Sequence, residues 1–354
     1  MYARTMGWAL AGAALLVTSG ASAQEYRWRV ATIDTESGFY TSSIMIPFTE
    51  LVEELTGGRM VVEIAPAGTV GNIFRLHEAV QDGLVELVNA PPSFLGTADP
   101  VNAMIAGFPT GLGTDSFHAW IYQGGGAELW VQHRHETMDM HPLVCGSGPS
   151  EWFAHSHVEL TSVEDLQGVR YRTLGNWAAV IADQFGASPV TIPGTEIYGL
   201  LERRGIDMAE YSMPAENWNQ GYHEVTPITL YPGIHAPAWA FELAMTLDNW
   251  NSLPRDIQVA MEAACRIVTH DAFLRSITAD LEAVAKLRES GNQLVELSDE
   301  FQARAREGAR AWAMKVSEEA EANGNPWPKR VAESIFAFQD NWIENSFYMV
   351  VDHE

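Results

Sequence analysis

The strongest constraint on this 354-residue chain is an alternation of short strand patterns with amphipathic helix patterns, joined by brief Gly/Pro turns. Residues 26–32 read as a strand and 42–55 as a helix stopped at Gly57-Gly58. A strand over 59–64, Pro66-Ala67-Gly68, a helix over 70–81 closed by Gly83, and a strand over 85–89 follow. A βαβαβ order with short links demands a mostly parallel sheet with helices on both faces. Helical periodicity then covers about 115–133 and leads into a strand at 142–145. Residues 151–154 open a second set: a strand ending at Arg172, a helix over 177–185, a strand over 188–192, a helix over 196–203 and a strand over 207–211. These form a second α/β unit. The apolar run 239–247 is long enough to pass between two sheets. From 255 onward the pattern is helical, with Asp248 or Ser252 placed to cap the helix after Pro254.

Residues 1–23 read as an export signal: Arg4, an apolar run over 8–17, and Ala21-Ser22-Ala23 before the cleavage point. A transmembrane anchor would need roughly 20 apolar residues. The mature chain is therefore expected to be periplasmic and soluble, without membrane insertion. The formal net charge is -25, and one unit lower once Arg4 leaves with the signal. Such a field repels nucleic-acid phosphates and anionic lipid, which excludes both as partners. A small anionic ligand is screened from it beyond roughly 8 Å at physiological salt, so its site must supply local positive charge. Cys145 lies in a strand pattern and Cys265 in a helical one. Two cysteines in a chain this large read as buried free thiols.

The segment 172–211 carries the sharpest chemistry. Arg172 ends a strand, and strand ends are where α/β sheets dock ligands; a guanidinium grips a carboxylate through two parallel hydrogen bonds. An arginine in that place serves equally well in a structural ion pair. Glu210, beside Tyr211, is open to three roles: cation ligand, hydrogen-bond acceptor, or partner of Arg172. Trp152, Trp177 and Trp218 fall near the expected cleft. His133, His135, Glu136 and His141 form the densest cluster of metal-ligand types, and read as a solvated polar helix end. Gly124-Gly125-Gly126 lacks a following Lys-Ser/Thr and reads as a helix kink or close-packing point. No Walker loop, nucleophile elbow or H-E-x-x-H motif is present.

Motifs in register along most of the mature chain resemble the periplasmic solute-binding proteins of TRAP transporters, in particular the branch for α-keto acids and related monocarboxylates. They include Glu78-Ala79-Val80-Gln81-Asp82-Gly83, Tyr122-Gln123-Gly124-Gly125-Gly126, Trp152-Phe153, Pro193-Gly194-Thr195-Glu196-Ile197-Tyr198, Asp207-Met208-Ala209-Glu210-Tyr211 and Tyr231-Pro232-Gly233-Ile234-His235. The resemblance implies a non-enzymatic two-lobed α/β clamshell. Lobe I spans 24–148 with part of 236–290; lobe II spans 149–235 with part of the C-terminal helices. Arg172 falls on the carboxylate-gripping arginine; Glu210, Tyr211, Trp177, Phe39 and Phe94 complete the implied ligand site. Na+ or Ca2+ bridges ligand and protein in that branch, through a glutamine and a Glu-Trp pair. Here Gly148 stands at the glutamine position and Tyr211 at the tryptophan, leaving Glu210 and the Tyr211 carbonyl as cation ligands. The apolar stripe of the helix at 325–347 (Val331, Ile335, Phe338, Trp342, Ile343) resembles the terminal helix that some members exchange in a homodimer. The implied partners are a small organic acid and TRAP membrane subunits. Rival readings are the same fold holding a sugar acid or a zwitterion, an exported metal enzyme built on the histidine cluster, and a structural role.

Overall fold

The computed structural model describes residues 24–96 and 98–349; the expected signal segment lies outside them. Eleven strands are β1 (Tyr26–Thr32), β2 (Met60–Ala65), β3 (Leu87–Ala90), β4 (Met140–Gly148), β5 (Ala154–Ser156), β6 (Arg170–Arg172), β7 (Ser188–Val190), β8 (Met208–Ala209), β9 (Ile228–Tyr231), β10 (Trp239–Thr246) and β11 (Gln293–Glu296). They make two sheets, ordered β2-β1-β3-β10-β4 and β11-β9-β5-β8-β6-β7. In the first, β1 pairs parallel with β2 and β3, as the βαβαβ pattern requires, while β10 runs antiparallel to β3 and β4. The second is likewise mixed: β6 lies parallel to β7 and β8, and β5 antiparallel to β8 and β9.

The chain crosses between the sheets in three places. Residues 149–153 carry it outward and 232–238 carry it back. The two crossing backbones meet so closely that a Cβ on Gly233 would stand 2.0 Å from the Glu151 carbonyl oxygen. The long run after 238 returns the chain as β10, and all its ladder partners belong to the first sheet. The third crossing is the 35-residue helix Arg255–Glu289, which packs on β4 and, further along, on helix Pro214–Asn219. Neither Asp248 nor Ser252 caps it. Both sit inside a separate helix, Leu247–Ser252, whose own start is capped by the Thr246 hydroxyl accepting from the Asn249 amide.

Beneath the first sheet, Val30, Phe48, Leu243, Ile257 and Val268 are buried in one apolar cluster. There the expectation of free thiols fails: Cys145 on β4 and Cys265 on the long helix are joined as a disulfide, their Cα atoms 4.5 Å apart. The cause is tertiary. The helix lies directly across β4, where a register shift opposite Phe241 puts Gly146 at φ 122°.

The glycine triplet does break the helix, into Thr114–Gln123 and Gly126–Met138. Side chains at 124 and 126 would collide with Phe338 and Trp120, so the break also lets the terminal helix approach. That helix, Trp327–Asn345, buries Val331, Ala332 and Ile335 against its own chain, chiefly helix Asp299–Ala322. The stripe expected to pair two subunits is thus mostly satisfied within one, and exchange through this helix is not supported.

Candidate functional site

Parallel pairing of β6 with β8 sets Arg172 opposite Ala209, so the chain leaving β8 brings Glu210 and Tyr211 to the Arg172 end of the sheet. The Glu210 amide donates to the Arg172 carbonyl at 3.1 Å. Arg172 is only 2% exposed. Its Nη1 donates to the Glu210 carbonyl (2.8 Å) and carboxylate (3.2 Å), while Nε and Nη2 both donate to the Ile192 carbonyl (3.3 and 3.1 Å). Four of five guanidinium N–H groups are thereby engaged within the second lobe. The other Glu210 oxygen accepts from the Leu174 amide at 2.9 Å. Of the roles open to Glu210, the ion pair with Arg172 and hydrogen-bond acceptance from Leu174 are both formed here.

These groups line a cavity of about 620 Å³ between the sheets. Asp34, Phe74 and Phe94 come to it from the first lobe; Arg172, Trp177, Glu210 and Tyr211 from the second; Glu151 and His235 from the two crossings. A partly apolar interlobe cavity with a few convergent polar groups is the usual form of a small-molecule site. Phe39 packs edge-on against Tyr40 instead, and Tyr40 is the ring in the wall, its hydroxyl 2.8 Å from Ser212 Oγ. Trp152 packs against Tyr231, and Trp218 stacks on His223 at 3.9 Å, both outside the cavity lining.

Glu151 and His235 are the site residues that the sequence reading missed as donors. Glu151 Oε2 lies 3.1 Å from His235 Nε2. Oxygen or nitrogen atoms of Glu151, Glu210 and His235 all fall within 4.8 Å of one another. Burial pushes the Glu151 carboxyl up, and Glu210 adds to this against the opposing pull of His235 and Arg172. Asp34 is also pushed up by burial, although the Thr35 and Tyr40 amides donate to it. Burial and nearby Glu216 raise the Tyr211 phenol to about 12, so it remains a neutral hydroxyl. One available signal was an acidic residue directly before Trp152-Phe153, three positions after Gly148.

The histidine cluster does not converge on one point. His133 pairs with Asp99 at 2.9 Å and contacts Arg134, whereas His135 and His141 meet each other at 3.0 Å. The segment is a helix end, as expected, running to Met138, but His133 is fully buried rather than solvated. His141 stacks on Trp250 at 4.0 Å, and burial lowers its pKa to about 4. Nearby, Arg134 binds Glu242 in a fully buried network with His77 and Trp130.

Two lobes around such a cavity are the architecture of a solute-binding protein. The profile of the bacterial extracellular solute-binding proteins, family 7, matches residues 37–319, and the chain belongs to that family, the TRAP solute-binding proteins. One relative is a monocarboxylate 2-oxoacid-binding periplasmic protein of Nostoc sp., 28% identical over 276 residues, 78% of this chain and 75% of the relative. Two solved structures share the fold. A TRAP solute-binding protein of Bordetella bronchiseptica, with copurified calcium and picolinate, aligns at 23% identity and TM-score 0.83, covering 92% of this chain and 96% of its own. One from Pseudoalteromonas atlantica with sodium and pyruvate aligns at 21% and 0.84, covering 93% and 100%. Family members are solute receptors rather than enzymes. No helix among the described residues is long and apolar enough to cross a membrane.

Proposed function

We propose that this chain is the periplasmic receptor of a TRAP transporter, released after Ala23, which closes over a small carboxylate of the 2-oxo acid or monocarboxylate class and delivers it to the membrane subunits. The observation that carries this reading is Arg172, a buried cation in the cavity wall with one N–H beyond those its own lobe engages. A carboxylate guest takes that N–H, and the Tyr211 hydroxyl is the neighbouring polar group for its second functional oxygen. Trp177 and Phe94 form apolar walls, while Phe39 acts only behind Tyr40. The relative's 2-oxo acids and the pyruvate and picolinate of the solved structures support the ligand class.

Na+ or Ca2+ prefers oxygen donors, and the adjacent carboxylates of Glu151 and Glu210 fit that preference. Glu210, with the Tyr211 carbonyl, would hold such an ion, which would supply positive charge between guest and protein. Ligand favours the closed form by its differential affinity for it.

Calorimetry with pyruvate, longer 2-oxo acids, lactate and sugar acids tests the reading. Binding of at least one monocarboxylate, weakened by Arg172→Ala, is expected. A panel without a binder, or an affinity unmoved by the substitution, would reject it.

A further inference from the structure

The two lobes touch on either flank of the cavity. Tyr40 Oη lies 2.8 Å from Ser212 Oγ, and Asn176 Nδ2 donates to the Pro100 carbonyl at 3.2 Å. The 620 Å³ between them is therefore space that a shut receptor encloses. It falls in the range of about 300–1,000 Å³ that takes drug-sized ligands, and pyruvate would fill only a small part of it.

The polar groups of the second lobe and the crossings lie together: Glu151, Glu210 and His235 converge within 4.8 Å, and Arg172 binds Glu210. From that point a line of contacts leads to an apolar face. The Leu174 amide donates to Glu210 at 2.9 Å. Gly175, at φ 60°, follows, and a Cβ there would meet those of Ser93 and Ala103 at 3.5 Å, so the first lobe reaches the Leu174 turn at Ser93. Next to Ser93, the Phe94 ring tilts against Phe74, their centroids 4.6 Å apart. Ile73, Phe74, Phe94 and Leu174 all line the cavity and stay half-buried although the lobes are in contact. The polar side chains of that wall are turned to their own backbone. Asn72 Oδ1 accepts from the Phe74 amide, and the two Asp34 oxygens accept from the Thr35 and Tyr40 amides. Covering apolar surface is favourable in proportion to its area, and neither a carboxylate nor an oxo group does so.

We propose that Ile73, Phe74, Phe94 and Leu174 form a tail subsite, and that the guest is a 2-oxo acid bearing an apolar chain or ring of butyl to benzyl size, held in preference to pyruvate. The proposal rests on the acid-receptor reading of the same cavity and adds the class of side chain that the acid carries.

Calorimetry on the mature protein, in buffer holding both sodium and calcium chloride, compares pyruvate, 2-oxobutanoate, 2-oxohexanoate and phenylpyruvate with 2-oxoglutarate, whose tail ends in a charge. Affinity is expected to rise about threefold to fourfold with each methylene buried up to 2-oxohexanoate. Phenylpyruvate should bind at least tenfold tighter than pyruvate, and 2-oxoglutarate no tighter than pyruvate. Phe74→Ala should lower the ratio of 2-oxohexanoate to pyruvate affinity at least threefold, and an unmoved ratio would count against the subsite. Should that variant misfold, the series on the unmutated protein still decides. Affinity flat or falling with tail length, or 2-oxoglutarate as the tightest guest, would overturn the tail subsite and leave the receptor reading standing. Binding of none of these acids would reject the receptor reading, and the subsite with it.

Discussion

Arg172 and Glu210 hold each other at the ends of neighbouring parallel strands, the guanidinium reaching both the main-chain carbonyl and the carboxylate of Glu210 at 2.8 and 3.2 Å. Both side chains are nearly inaccessible, at 3% and 5%. Arg172→Ala therefore strands a buried carboxylate as well as removing the ligand's partner, and breaking such a pair costs about 3–5 kcal/mol. Arg172→Lys keeps the charge but not the planar fork that spans Ile192 and Glu210. Pyruvate affinity should fall at least tenfold in the lysine variant and further in alanine, with a lower urea midpoint in both. Equal affinity in all three proteins would show that the pair is structural only.

The Glu242 network is a stability device of the first lobe. Burial alone would raise this carboxyl, but the Arg134 guanidinium and His77 outweigh it and hold Glu242 far below the usual carboxylate range. A depressed acid contributes stability that is present above its unfolded pKa and is lost as pH falls through the folded one. Glu242→Gln should cost about 3–5 kcal/mol at pH 7, because Arg134 is left buried without its anion. Urea denaturation from pH 7 to pH 3 should show a shallower acid loss in the variant than in the parent. Parallel pH curves would exclude Glu242 as a source of acid lability.

The Cys145–Cys265 bridge closes a 120-residue interval between β4 and the long helix. Removing a native disulfide costs about 2–5 kcal/mol, largely through the unfolded chain. The double alanine variant should melt earlier, while pyruvate affinity stays within twofold, since neither cysteine lines the cavity. Affinity lost in parallel with stability would tie the bridge to lobe geometry instead.

What was legible in the sequence follows from which interactions are local. Strand β1 and the start of the helix Arg255–Glu289 declared themselves through periodicity and turn residues, and both agree with the expected positions. Arg172, Glu210 and Tyr211 were read from strand ends, which in a parallel arrangement point the same way, whereas Trp177 was read from its place near the expected cleft and Phe94 from the family resemblance; all five line one cavity. The disulfide was hidden, since it depends on a helix crossing a strand 120 residues away. The terminal stripe was visible, but its partner helix in the same chain was not. Phe39 and Tyr40 are adjacent, and only the π-turn Thr41–Met45 and the packing of the following helix determine which ring meets the cavity. Glu151 and His235 escaped notice because no periodic element carries them; they meet only when the two crossings lie side by side.

Asp280 gives the opposite pH signature from Glu242, and it sits where the long helix meets the second lobe. Its Oδ1 accepts from the Ala215 amide at 2.8 Å, in the first turn of helix Pro214–Asn219. Burial raises its pKa to about 7, the nearby Glu216 adds to the rise, and the Ala215 hydrogen bond only partly offsets them. In the folded chain the acid thus keeps its proton in a range where the unfolded chain has lost it. Stability must therefore decline as pH climbs from about 4 toward 7, and level off above. Asp280→Asn keeps an oxygen for the Ala215 amide and removes the charge, so it should stabilise the protein at pH 8 by on the order of 2–4 kcal/mol while changing little at pH 4. Thermal melts of both proteins across that interval measure the difference directly: a gap that widens with pH assigns the decline to Asp280, and a constant gap would mean that the substitution acts through packing rather than through the proton.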